Sequence, residues 1–128
     1  MSIRIVRLGT PRVPTEGLRI GTVRRPPRGV RTADLAKRDY YDVWLPELSP
    51  GAPLVKMAQS SASPAEWRAF ARRYRSEMAR PPASRILDLL AALSRTTNVS
   101  VGCYCEDESH CHRSVLRELL AERGADIR

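Results

Sequence analysis

NVSVGCYCEDESHCHRSVLRELL, residues 98–120, contains a strand, a polar loop and a helix in that order. Small and β-branched residues at 99–104 are typical of a buried strand. From about 111 to 123 the spacing predicts a helix that ends at Gly124. Its predicted buried residues are Val115, Leu116, Leu119 and Leu120. A strand that leads directly into a helix is typical of α/β proteins.

Two further strands are predicted near the start of the chain, at 3–8 and 18–23, each bounded by glycine and proline. The link between them is short for a helical crossover, so the pattern leaves their relative direction open. Thr32 is a candidate N-cap for a short helix. The aromatic segment at 39–48 is predicted to pack against the core, and most of 49–64 is predicted to be loop.

Two more helices are predicted in the middle of the chain. Ser63 and Glu66 form a capping-box pattern at the start of a helix over 64–80, with Trp67 on its buried stripe. Ser84 opens the next helix, whose predicted buried residues are Ile86, Leu89, Leu90 and Leu93. Together these elements predict one α/β domain over 1–128, with helices flanking a small, largely parallel and possibly mixed sheet.

Length and composition limit the possible protein classes. A chain of 128 residues fits one domain, and no apolar run approaches the roughly 18 residues that a membrane helix needs. Arginines interrupt the first residues, where a secretory signal would be apolar. We therefore expect a cytoplasmic protein without membrane contact and with reduced cysteines. The three cysteines are an odd number, which argues against a disulfide framework.

The net charge of +8 is concentrated in the first quarter of the chain. Residues 1–31 carry eight arginines against Glu16, which gives +7 and leaves +1 for the rest. This basic segment makes a nucleic-acid partner possible. Few exposed aromatic residues are expected beside it, so base stacking would be weak.

All three cysteines and both histidines lie within residues 103–113, and three interpretations of this segment compete. Cys103, Cys105, Cys111 and His112 have the ligand types of a zinc site, although neighbouring residues on a helix point in different directions. Alternatively, Cys111 and His112 are catalytic, as nucleophile and acid/base, in the first turn of the last helix. In the third interpretation the segment is structural, with Cys103 and Cys105 packing as small apolar residues.

A second group of candidate residues follows the second strand, in the arginine loop RRPPRG, residues 24–29. If the second and last strands are parallel neighbours, this loop meets the Cys-His-Arg turn at one edge of the sheet. The expected pocket would bind a small phosphate or carboxylate ligand. Its predicted anion-binding residues are Arg24, Arg25, Arg28 and Arg113. A solvated basic loop, or arginines paired with Glu106, Asp107 and Glu108, is the structural alternative.

The order and spacing of RRPPRG, DVWLPELSP, WRAFARRYRSEM and CYCEDESHCHRSVLRELL resemble the YeaO-like family of bacterial proteins, a domain of unknown function. In the arginine loop the matching residues are Arg24, Pro27, Arg28 and Gly29. The Cys-His-Arg turn at 111–113 is similar to that of a longer sister branch. Val23 stands where the YeaO-like loop has an aspartate. The resemblance implies an α/β fold with a site shared between the two loops, and no defined activity.

Overall fold

The computed structural model describes every residue from Met1 to Arg128 and contains four strands and four helices. The strands are β1 (Ile3–Arg7), β2 (Leu18–Gly21), β3 (Val43–Trp44) and β4 (Val99–Cys103). The helices are α1 (Ala52–Gln59), α2 (Pro64–Met78), α3 (Ala83–Leu93) and α4 (His112–Glu122). The predicted small α/β fold is confirmed. No helix combines the length and apolar composition needed to cross a bilayer.

The four strands form one sheet in the order β1-β4-β2-β3, and every neighbouring pair is parallel. Val101 of β4 lies opposite Ile5 on one side and Ile20 on the other. The short link between β1 and β2 is therefore no obstacle to parallel strands, because β4 lies between them. The last strand in sequence is thus central, and all five of its residues are buried.

The edge strand β3 explains one wrong prediction. The aromatic segment at 39–48 does bury Tyr41 and Leu48. Val43 and Trp44, however, are 37% and 40% exposed, because β3 is only two residues long and has a sheet neighbour on one side.

Two helical predictions are also corrected. Residues 52–59 form α1, where a loop was expected; a proline in its first turn favours helical backbone, and Leu54 anchors the helix in the core. In α3, Leu89 is 58% exposed, although the periodicity placed it on the buried stripe. The helix buries Leu87, which was not predicted, together with the predicted Leu90. Apolar residues lie on more than one face of α3, so the periodicity alone did not identify the buried face.

The other helix boundaries follow the predicted capping residues. Ser63 precedes α2, and its Oγ accepts from the Glu66 backbone N–H at 3.2 Å. Gly124 follows α4 with a φ of 78°, a conformation that glycine adopts without steric cost. A core of 16 buried residues joins the sheet to all four helices. A smaller apolar cluster, which includes Leu8, Val23 and Cys103, lies where β1, β2 and β4 end.

Candidate functional site

Three thiols and one imidazole lie together at the carboxyl end of β4. We call this group, Cys103, Cys105, Cys111 and His112, the thiol cluster. The Sγ atoms of Cys103 and Cys111 are 2.7 Å apart, and the Cys111 Sγ lies 3.7 Å from His112 Nδ1. One ligand atom from each of these three buried residues falls within 4.8 Å of the others. Cys105 is exposed, and its sulfur lies outside this group of three ligand atoms.

The backbone at the start of α4 brings the adjacent Cys111 and His112 side chains together. Cys111 is the N-cap and has extended backbone angles, φ −135° and ψ 151°, while the helix begins at His112. The expectation that the two side chains diverge as helix neighbours is therefore wrong, since only one of them is helical. A cysteine at this boundary can turn its sulfur toward the imidazole.

His112 joins α4 to the end of β2 through the residue after that strand. Its Nε2 lies 2.9 Å from the Thr22 carbonyl oxygen and 3.0 Å from Thr22 Oγ1. The Thr22 hydroxyl donates its own proton to the Gly102 carbonyl at 3.0 Å. Both Thr22 oxygens are therefore acceptors toward the ring, so Nε2 carries the proton. In the neutral ring, Nδ1 keeps a lone pair that faces the thiols.

Burial lowers the pKa of His112 to about 4, because the charged ring would lose its hydration. An unfolded chain takes up this proton near pH 6.5, whereas the folded protein does not. Stability should therefore fall as the pH drops from about 6.5 toward 4. Between pH 7.5 and 5 we expect a loss of about 2 kcal/mol from this residue.

Urea unfolding of the chelator-treated protein at these two pH values measures the effect. His112→Gln should remove most of this pH dependence, whereas His110→Gln, which changes an exposed histidine, should retain it. Equal pH dependence in the two variants would contradict the assignment.

Arg113 lies beside the thiol cluster and is only 3% exposed. Its Nη1 donates to the Val6 carbonyl at 2.8 Å and its Nη2 to the Cys105 carbonyl at 2.5 Å. Gly102 allows this close packing, because a Cβ there would lie 2.6 Å from the Val6 oxygen. The Arg113 Nε–H is sealed from solvent and donates to no protein atom. Arg113 thus holds β1 and the residue 105 backbone together and keeps one donor unused.

The three thiols have different acidities because each one changes the pKa of the others. The Cys103 and Cys111 thiols lower the pKa of Cys105, and the nearby Arg113 charge adds to this. The pKa of Cys103 is raised, first by the Cys105 thiol and then by the Cys111 thiol and burial. For Cys111, the Cys103 thiol lowers the pKa, but the Cys105 thiol and burial outweigh it and raise it. These shifts do not favour the Cys111 thiolate that its place at the helix start predicts.

Residues 3–124 match the family described as the active DUF488-N3 subclade. The chain belongs to this subclade. The match covers all four strands, all four helices and the thiol cluster. No curated protein matches the sequence, and no solved structure does.

In this DUF488-N3 protein, the arginine loop and the Cys-His-Arg turn follow neighbouring parallel strands, β2 and β4. The arginine loop contacts the residue after β4, since the Tyr104 hydroxyl donates to the Arg25 carbonyl at 3.1 Å. Their guanidinium groups, however, point to different partners. Arg24 donates to the backbone carbonyls of Ser49 and Pro50, while Arg113 donates to those of Val6 and Cys105. The expected joint use of Arg24 and Arg113 by one anion remains a prediction, and both side chains already donate to backbone carbonyls.

The basic first quarter of this DUF488-N3 domain is largely bonded within the protein. Six of its eight arginines have hydrogen-bonding side chains: Arg4, Arg7, Arg12, Arg19, Arg24 and Arg31. Arg25 and Arg28 are exposed and have no such partner. This leaves two guanidinium groups of the arginine loop free for solvent or for a phosphate. A nucleic-acid partner stays a prediction of the sequence alone.

The acids of the 103–113 segment also have partners, but not in the arginine loop. Glu108 pairs with Arg117 at 2.7 Å, Glu106 with Arg7 at 3.6 Å, and Asp107 with His110 at 3.2 Å. The structural alternative correctly predicted that these acids pair with basic side chains of the protein. Their partners are Arg7, His110 and Arg117, however, and not the arginines of the arginine loop.

Sequence reasoning missed Thr22, which fixes the imidazole. Thr22 lies within the strand predicted over 18–23, where a threonine is common, and only the pairing of β2 with β4 gives it this role. It also favoured a packing role for Cys105, whose alternating position on β4 predicted the same face as Cys103. The strand ends at Cys103, so the period of two no longer applies two residues later.

Proposed function

We propose that the thiol cluster binds a soft divalent cation, with zinc as the first candidate and Cys103, Cys105, Cys111 and His112 as its ligands. Three sulfurs and one imidazole nitrogen form a ligand set that zinc commonly takes in tetrahedral sites. Its compactness supports the proposal: three of the four ligand residues are buried and have ligand atoms within 4.8 Å. The fourth, Cys105, is exposed and follows β4 two residues after Cys103, so it would have to turn toward the metal from the solvent side.

The hydrogen bonding of His112 is the observation that carries the proposal. Metal-binding histidines usually donate their second ring N–H to a carbonyl or carboxylate, which fixes the tautomer and the ring orientation. Here Nε2 lies 2.9 Å from the Thr22 carbonyl, and Nδ1 is on the side of Cys111. A histidine that merely filled the core would have no need to direct its free lone pair at thiols.

Charge balance supports the same proposal. Three thiolates and one divalent cation carry a net charge of −1, and the buried Arg113 guanidinium would bring the site to zero. Its unpaired Nε–H would find an acceptor in a thiolate sulfur. Without such an acceptor, a buried donor costs about 1–3 kcal/mol.

Metal binding requires a modest rearrangement of the sulfurs. Two thiolates on one tetrahedral zinc lie about 3.8 Å apart, whereas the Cys103 and Cys111 Sγ atoms are 2.7 Å apart. Rotation of the two cysteine side chains would supply this increase of about 1 Å in the distance between the sulfurs. The burial of Cys111 at 2% exposure favours this ligand role over the predicted nucleophile, which would need access for a substrate.

Titration of the chelator-treated, reduced protein with Co²⁺ tests the proposal. We expect one equivalent to produce the intense visible absorption of tetrahedral cobalt together with sulfur-to-cobalt charge-transfer bands. His112→Gln should weaken Co²⁺ binding at least about tenfold. His110→Gln is the matched control, since it removes the other histidine of the chain, and should leave the spectrum unchanged.

Two further variants separate the buried ligands from the exposed one. Cys103→Ser and Cys111→Ser should abolish the tetrahedral spectrum, whereas Cys105→Ser should keep tetrahedral cobalt with weaker charge-transfer bands. An unaltered near-ultraviolet spectrum of wild type through two equivalents of Co²⁺, or equal binding by the two histidine variants, would rule out the site.

A further inference from the structure

A cavity of about 380 Å³ lies beside the segment that carries the thiol cluster. It is formed by the linker between α1 and α2, the first turns of α2, and a 3₁₀ turn at Glu108–His110. We call it the Trp67 cavity. Its volume is within the range of roughly 300–1,000 Å³ that small-molecule sites have. The polar residues that matter to the argument are Ser61, Arg68 and His110.

The charge of this lining is one-sided. None of its eight residues is acidic, and Arg68 is exposed without an ion-pair or hydrogen-bond partner. A second cavity of the protein provides a contrast, because Glu47 and Glu77 line it together with Arg24 and Arg80. Charges of both signs compensate each other there, whereas the guanidinium of Arg68 has no counterion.

Several donors at the Trp67 cavity are unused by the protein. The Trp67 indole N–H and the Ser61 hydroxyl make no hydrogen bond within the chain, and neither is sealed from solvent. The Nδ1 of His110 lies 3.2 Å from an Asp107 carboxylate oxygen, so Nε2 is the nitrogen left for a ligand. The rings of Phe70 and His110 lie against the indole, at centroid distances of 4.9 and 5.6 Å. These neighbours leave less of the indole surface for stacking, while its N–H has no partner in the protein.

We propose that the Trp67 cavity binds the oxyanion group of a small molecule, a phosphate or a carboxylate, through Arg68, the Trp67 indole N–H and the Ser61 hydroxyl. A guanidinium with adjacent neutral donors is the arrangement that recognises such groups, through charge-assisted hydrogen bonds. The inference goes beyond metal binding and does not require it. It places anion recognition at residues outside the arginine loop.

Fluorescence of Trp67 provides the readout, since the chain has two tryptophans and Trp44→Phe leaves Trp67 as the only one. At constant ionic strength, with chloride as the reference anion, we expect inorganic phosphate or malonate to change its emission with saturation. Saturation by phosphate alone identifies a phosphoryl ligand, and saturation by malonate alone identifies a carboxylate. Either result supports the oxyanion site.

Arg68→Ala, in the Trp44→Phe background, should weaken this binding at least about tenfold, which corresponds to the loss of one charge-assisted hydrogen bond. Arg73→Ala removes the same charge from an exposed position of the same helix and should bind as before. A linear response that chloride reproduces, or equal affinities in the two arginine variants, would overturn the proposal. Neither result depends on metal occupancy, so the cobalt experiment and this one succeed or fail separately.

Discussion

Replacing Arg113 with methionine should lower the free energy of unfolding by about 3 kcal/mol, because two buried carbonyls lose a donor at about 1–3 kcal/mol each. The two carbonyls belong to Val6, at the end of β1, and Cys105. The same change should weaken Co²⁺ binding by about 10–100-fold, the usual effect of removing a residue that supports metal ligands. Urea unfolding and cobalt titration measure the two effects.

Arg113→Lys separates the charge of Arg113 from its hydrogen bonds. Lysine keeps the positive charge but not the forked donors, so it should retain most of the cobalt affinity while losing stability. Arg117→Met is the control on the same helix, because its ion pair with Glu108 is partly exposed and should contribute less than about 1 kcal/mol. A methionine variant with wild-type cobalt affinity would contradict the charge-balancing role.

The positions of three of the four strands and three of the four helices were predictable because each depends on local chemistry. Periodic apolar residues, the serine before α2 and the glycine after α4 are features that the chain carries in short windows. The central place of β4 was not predictable, since it depends on how distant strands pair. Strand order is a long-range property, and the local signal for it was that β4, unlike β1 and β2, has no charged residue.

The candidate site also has some features that were predictable from local sequence and others that depend on distant residues. Its ligand types were readable because all three cysteines and both histidines lie within residues 103–113. The proton position on His112 was not readable, because Thr22 is 90 residues away in sequence. Arg113 was expected to face a ligand, and its burial under β1 required knowing that β1 is the other neighbour of β4. The residue types of the site could be read from the sequence, whereas the orientations and partners of its side chains could not.

Glu16→Ala should destabilise the protein by about 3–5 kcal/mol, because it leaves the buried Arg19 charge without its counterion. Both side chains are almost fully buried, and Arg19 Nε donates to Glu16 Oε1 at 2.5 Å. The Ser100 hydroxyl donates to the same carboxylate oxygen at 2.8 Å, which links the pair to the central strand β4. No other Arg–carboxylate pair in the protein is as deeply buried.

Two comparisons make this prediction specific to a buried ion pair. Asp88→Asn breaks the exposed pair with Arg123 and should cost no more than about 1 kcal/mol. The double variant Glu16→Leu/Arg19→Met should be more stable than Glu16→Ala, because removing both charges removes the desolvation cost of the unpaired one. The pair is not coupled if the double variant loses as much stability as its two component single variants, Glu16→Leu and Arg19→Met, lose together. Arg19 is then held by its bonds to the Thr10 and Asp39 carbonyls alone. The basic first quarter of the chain would then be held in the fold by hydrogen bonds to backbone carbonyls rather than by ion pairs.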